Sequence, residues 1–206
     1  MFDKPYVVMD RLPGTTLNEL SYLRPEILEE HKVTIAYQLG MHTAFSFVFG
    51  SKDGFQTNYL FNPVTKILTH IDKESFLELP KDSSKVLEDG DRYTQEIVAC
   101  EFTNLKYIPS FRNNESRTKL LIAYRQGFLD KFEDIKFKKD ELVRMVAGAR
   151  MAWLRVKPPQ NVEDYEQETL TLLDTVAALI DLNSEEVFDR LLKAKKEVDS
   201  GRYQRQ

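Results

Sequence analysis

Two short apolar runs, YLF at 59–61 and ILTHI at 67–71, stand around Asn62 and Pro63. Runs of that length about a pair of turn formers predict a β-hairpin. Most of the remaining chain carries the 3.6-residue period of helices, so the hairpin must be set into a helical surround. A polar loop leads into it, carrying Asp53 and, five residues on, Asn58, and Asp72 follows the second run. A loop carboxylate, a loop amide and a carboxylate past the hairpin, brought to one spot, form the set that phosphoryl transfer needs. One carboxylate orients the attacking hydroxyl, while the amide and the second carboxylate supply oxygen ligands for magnesium.

Within residues 47–77, Val48, Phe49, Gly50, Asp53, Asn58, His70, Ile71, Asp72, Phe76 and Leu77 follow the pattern V-L-G-x-x-D-R-H-x-x-N, a hairpin, then H-I-D-F-G-x-F-L. On these residues the stretch resembles the catalytic core of the protein-kinase-like superfamily, most of all its phosphatidylinositol 3-/4-kinase branch. The resemblance implies ATP and Mg2+ as cofactors. It makes Asp53 the catalytic residue that orients a substrate hydroxyl, and Asn58 and Asp72 the metal ligands. Lys52 would offset charge on the transferred group, the other reading being a solvated lysine. Gly54 and Phe55 stand where the family has Arg and His, and Lys73 and Glu74 replace its Phe-Gly. Phe55 neither moves a proton nor holds a phosphate. Two functions are therefore weighed: a kinase-like phosphotransferase acting on a hydroxyl-bearing substrate, and an inactive pseudokinase-like interaction module.

Residues 6–9 form an apolar run, 12–14 read L-P-G, and Thr15 or Thr16 can cap a helix through Leu23. A strand, L-P-G and a short helix resemble the hinge between kinase lobes. Segment 1–14 is then hinge-like, with backbone near Val8, Met9 and Asp10 facing adenine; an edge strand and a helix cap are the plain alternative. A complete kinase carries a Gly-rich phosphate loop and a strand lysine ahead of the hinge. Neither is present, and the sequence contains no G-x-G-x-x-G or P-loop. The expectation is a C-lobe of a longer protein, a subunit completed by a partner or missing N-lobe, or a reduced relative.

At 206 residues one domain is the default. A net charge of −4 gives no global invitation to nucleic acid. Cys100 is the lone cysteine, so no intrachain disulfide exists, which favours a cytoplasmic setting. No apolar run reaches the roughly 20 residues of a transmembrane segment. Pro25 opens a helix expected to run to about Phe47, with His31 and His42 along it as surface or core histidines; a structural hydrogen bond is expected of His70. The 81–91 stretch, KDSSKVLEDGD, is a solvated loop or an activation segment. Residues 94–104 form a helix or mixed segment. Helical stripes follow: Leu120, Leu121, Tyr124, Phe128, Phe132 and Ile135; Leu142, Val146, Ala149 and Trp153; Val162, Tyr165, Leu172, Val176 and Ile180; then Val187, Leu191, Ala194 and Val198 behind a cap at Asn183 or Ser184. The fold expected is mainly α with a small β-hairpin, a protein-kinase-like C-terminal lobe without an N-terminal lobe. It spans 1–206 as one domain, with the catalytic-loop and metal-loop region at 47–77 and a helical subdomain at 92–206.

Overall fold

The computed structural model of the chain describes residues 12–71, 77–80, 82–156 and 162–200. The expected strand at 6–9, the adenine-facing candidates Val8, Met9 and Asp10, the metal candidate Asp72 and the Trp153 side chain lie outside what it describes. The described chain is mainly helical, with one three-stranded antiparallel sheet of order β1-β2-β3.

Thr16 begins the first helix. Its hydroxyl accepts from the Glu19 amide at 3.0 Å, and the Glu19 carboxylate accepts from the Thr16 amide at 3.2 Å. This reciprocal cap satisfies two otherwise orphaned donors and is worth about 1 kcal/mol. Helix α1 (Leu17–Leu23) then buries Leu17 and Leu20. The residues that cap it also form strand β1 (Thr15–Thr16), paired with β2 (Tyr59–Asn62), so the expected hairpin is part of a larger sheet. Strand β3 (Ile67–His70) pairs Tyr59 with His70 and Phe61 with Leu68. Asn62 closes the turn by accepting from the Val64 and Thr65 amides.

The single helix expected from Pro25 is two: α2 (Pro25–Glu30) and α3 (Lys32–Phe49). They part at His31 (φ −104°, ψ 13°), whose ring packs on Phe61 at 5.3 Å, so the break seats that residue on the sheet. Two side chains of α3 then clamp the outer edge of the hairpin. Gln38 donates to Lys66 O and accepts from Leu68 N, and His42 Nε2 donates to Leu68 O. An edge strand whose outward groups are satisfied this way is a poor template for further pairing.

Helix α3 lies against α5 (Asn114–Phe137) at backbone contact. A Cβ on Gly40 would overlap the Tyr124 carbonyl oxygen, and one on Gly127 would overlap that of Tyr37. Around this crossing the expected α5 stripe is buried: Leu120, Tyr124, Phe128, Phe132 and Ile135. Helix α4 (Arg92–Glu101) starts on Asp91, which accepts from the Tyr93 and Thr94 amides, and passes into 3-10 turns at Phe102–Tyr107 and Pro109–Arg112. Helices α6 (Lys139–Val156), α7 (Val162–Asp181) and α8 (Ser184–Asp199) follow, with Asn183 as the cap of α8. Val176, Ile180, Val187, Leu191 and Ala194 are buried as their spacing predicts. Ala149 instead faces solvent, because α6 packs along Val146 and partly Leu142. Phe188, outside the expected stripe, is buried against Phe102, Tyr124 and Phe128.

The polar 82–91 stretch is tied down. Buried Arg190 of α8 donates to Glu88 O at 2.9 Å, and Lys193 pairs with Asp89. No described helix is long and apolar enough to cross a membrane.

Candidate functional site

The site region begins where α3 stops. Gly50 takes a left-handed conformation (φ 60°), and its amide closes onto Ser46 O. A Cβ there would come within 2.8 Å of the Glu78 backbone, because the chain returns alongside: Leu77 N donates to Phe49 O at 2.8 Å and Glu78 N to Gly50 O at 3.2 Å. Both ends of the 47–77 stretch therefore meet at the C-terminus of α3.

Inside that closure the Asp53 carbonyl gathers three donors. These are Phe55 N at 2.8 Å, Asn58 Nδ2 at 2.9 Å and His70 Nε2 at 3.1 Å. A carbonyl only accepts, so His70 carries a hydrogen on Nε2. This is the structural hydrogen bond expected of His70. Past β3, Ile71 N donates to Asn58 O at 2.8 Å. Asp53, Asn58 and the residue immediately before Asp72 are thus stitched into one cluster. Asn58 Oδ1 accepts from the Thr57 hydroxyl at 3.1 Å and keeps a second lone pair. Asp53 and Asn58 are both half-buried.

A polar layer supports the loop from below. Glu101, at the last position of α4, is fully buried, and it accepts from Ser46 Oγ at 2.7 Å and from the Tyr59 hydroxyl at 2.6 Å. Burial, then the Glu101 charge, push the Tyr59 phenol well above its ordinary range, so it stays a donor. Gly54 lies directly over this carboxylate: a Cβ on it would overlap Glu101 Oε1. Asn104 Nδ2 donates to Gly54 O at 2.6 Å. The Tyr59 ring stacks on His70 at 4.5 Å and tilts against His42 at 5.2 Å. A buried carboxyl group persists only where such donors converge on it.

Comparison with protein-family models, curated proteins and solved structures finds no match to this chain. The site is therefore described by its own geometry. Among the described residues no group of three or more His, Cys, Asp and Glu side chains is placed to hold a metal ion. The described oxygen donors, the Asp53 carboxylate and Asn58 Oδ1, are hard ligands of the kind magnesium takes.

Lys52, expected to face transferred charge, is engaged elsewhere. Its ammonium sits 2.7 Å from Glu96 and 3.5 Å from Glu78, over the Tyr93 ring at 6.0 Å. Burial raises the Glu96 carboxyl, but its hydrogen bonds to Lys52 and Arg92 outweigh that and leave it below the usual range. Lys52, Arg92, Tyr93 and Glu96 line a cleft of about 420 Å³ with Pro80, Asp82 and Asp91. With two carboxylates on it, the Lys52 charge is already matched.

Sequence reasoning missed Ser46, Tyr59, Glu101 and Asn104 as a set. One signal was present. Glu101 falls four residues after buried Ile97, on the apolar face of α4, where an unpaired acid has no reason to be.

Proposed function

We propose that the chain is a kinase-like phosphotransferase that uses ATP and magnesium, built on a C-terminal lobe of the protein-kinase-like superfamily. The observation that carries this reading is the hydrogen bond from Ile71 N to Asn58 O. It ties the end of the hairpin, one residue ahead of Asp72, to the loop that bears Asp53 and Asn58. Asp53 orients the acceptor hydroxyl and takes its proton as that oxygen bonds to the γ-phosphorus of ATP and the bond from this phosphorus to the bridging oxygen breaks, with ADP as the leaving group. Asn58 Oδ1 and the Asp72 carboxylate would hold magnesium, which would offset charge on the nucleotide phosphates. His70 and the Asn58 amide fix the Asp53 backbone, so the carboxylate presents from a rigid support. Gly54 in place of an arginine matches the buried Glu101 carboxylate beneath it, which leaves no room for a side chain.

A pseudokinase-like interaction module is the second reading. It is favoured by apolar residues left open on and beside the sheet: Leu12, Val64 and Ile67 are 49%, 88% and 55% exposed. Such surface suits a protein partner.

Calorimetric titration with ATP, with and without magnesium, separates the two. The enzyme reading expects magnesium-dependent binding that Asn58→Ala weakens at least about tenfold. Asp53→Asn should retain binding and lose roughly 100-fold or more in phosphoryl transfer, the usual contribution of a positioned base. A folded wild-type protein that binds no nucleotide at any magnesium concentration would leave the interaction module standing.

A further inference from the structure

Away from the 51–58 loop, α1 and the turns leading into α5 enclose a cleft of about 510 Å³, lined by Tyr22, Lys106, Tyr107, Phe111, Arg112 and Arg117 among others. The whole chain carries 33 acidic against 29 basic residues, yet among the described residues no carboxylate lines this cleft. Elsewhere cations such as Lys52, Lys119, Arg125, Lys139 and Lys193 each rest on a carboxylate. Lys106, Arg112 and Arg117 have none within 4 Å among the described residues. The one acid in the first turn of α5, Glu115, is matched by Lys119.

Two of the three cations are also positioned. Arg117 Nε donates to Phe111 O at 3.0 Å and its guanidinium lies 5.4 Å over the Phe111 ring. Lys106 lies 5.3 Å over the Tyr107 ring. Held this way, they lose less rotamer freedom when an anion arrives. Tyr22 is 76% exposed beside them, an aromatic side chain open to a ligand. Burial, then the nearby Tyr22, raise the Tyr107 phenol, which reflects how close the two side chains stand.

We propose that this cleft binds a small phosphorylated aromatic molecule the size of a nucleoside monophosphate, with the phosphate held by Lys106, Arg112 and Arg117 and the ring stacked on Tyr22. Guanidinium forks fit phosphate oxygens in pairs, and three cations match a dianion better than a single carboxylate. The volume falls in the range of small-molecule sites. A polyanion would meet the net charge of −4 carried by the chain as a whole. The proposal is independent of the phosphotransferase reading, since it uses neither Asp53 nor Asn58.

The test is equilibrium binding of AMP, adenosine and ribose 5-phosphate to the full chain in EDTA, which removes magnesium. AMP should bind saturably, and adenosine and ribose 5-phosphate each at least about tenfold more weakly. Raising salt from roughly 0.05 to 0.5 M should weaken AMP severalfold. Lys106→Glu and Arg112→Glu, both exposed and without hydrogen bonds to lose, should abolish binding with an unchanged unfolding midpoint. Tyr22→Ala should reduce AMP to the level of ribose 5-phosphate. Asn58→Ala should leave AMP binding intact, and loss of binding in that variant would move the ligand to the other site. The proposal is overturned if AMP does not bind, if charge reversal leaves binding unchanged, or if a single-stranded oligonucleotide binds far more tightly than AMP.

Discussion

Two of the glycine contacts made by helix α3 and the loop it feeds are opposite in kind. At mid-helix, Gly40 meets the α5 backbone at Tyr124, and Gly127 returns the contact at Tyr37. That crossing is dry, and both obstacles are main-chain atoms of packed helices. Beyond the C-terminus of α3, Gly54 lies over the Glu101 carboxylate, a side chain held by Ser46 and Tyr59. A helix backbone moves only with its whole helix, whereas a side chain can be removed. The first contact therefore sets how closely the two central helices approach. The second sets the height of the loop that carries Asp53 and Asn58.

The largest effect should come from Gly40→Ala. The added methyl has nowhere to go unless α3 and α5 separate, which would open the core along Phe128 and Phe132. A loss of at least about 3 kcal/mol is expected in denaturant unfolding, at or beyond the upper end of overpacking costs. Because the obstacle is backbone, Tyr124→Phe in the same chain should recover none of it. A cost below about 1 kcal/mol would mean the helices yield more readily than their contact implies.

Gly54→Ala should cost less, about 1–3 kcal/mol, and its cost should depend on Glu101. Alone, Glu101→Ala leaves the Ser46 and Tyr59 hydroxyls without this acceptor and should cost about 2–4 kcal/mol. In that background, however, the space under residue 54 is open, and Gly54→Ala should add less than about 0.5 kcal/mol. The double-mutant cycle should then show a coupling of at least about 0.5 kcal/mol. Equal costs in both backgrounds would place the limit on the loop backbone and erase the contrast with Gly40.

The two contacts also differ in how far the sequence announced them. Helical stripes, the Thr16 cap, the Asn62 turn and the Asn183 cap are local patterns, and each is legible because its physics lies within a few residues. The grouping of Asp53 and Asn58 was legible from a five-residue spacing beside a hairpin. Gly40 was not, because an isolated glycine in a helical pattern does not say which helix it faces. Strand β1 is two threonines that also serve as a helix cap, too short to carry a period-2 signal. The break at His31 follows from a contact with Phe61, thirty residues on, which no local pattern contains. Glu101 was half-legible: its place on an apolar face was visible, but its donors come from α3 and β2.

The smallest effect belongs to Asp134 and its two lysines, a partly exposed cluster near the C-terminal end of α5 where neither a backbone nor a fully buried carboxylate is involved. Asp134 accepts from Lys131 at 2.8 Å and pairs with Lys138 at 2.7 Å. Those partners, Lys131 first, hold its carboxyl at about 2, below the ordinary 3.8. An acid near a helix C-terminus opposes the dipole, so the two lysines chiefly offset that penalty. The folded pKa is depressed, so the stabilisation is complete above the unfolded value and is lost as pH falls from about 4 toward 2. Surface pairs of this kind are worth about 0.3–0.5 kcal/mol each, less in salt. Asp134→Asn should therefore cost at most about 1 kcal/mol at pH 7, and progressively less as pH falls below about 4. It should also leave the Gly54–Glu101 coupling unchanged, being independent of that loop. A loss of the order expected for Gly40→Ala would show that this cluster is as tightly coupled to the fold as the crossing of α5 with α3.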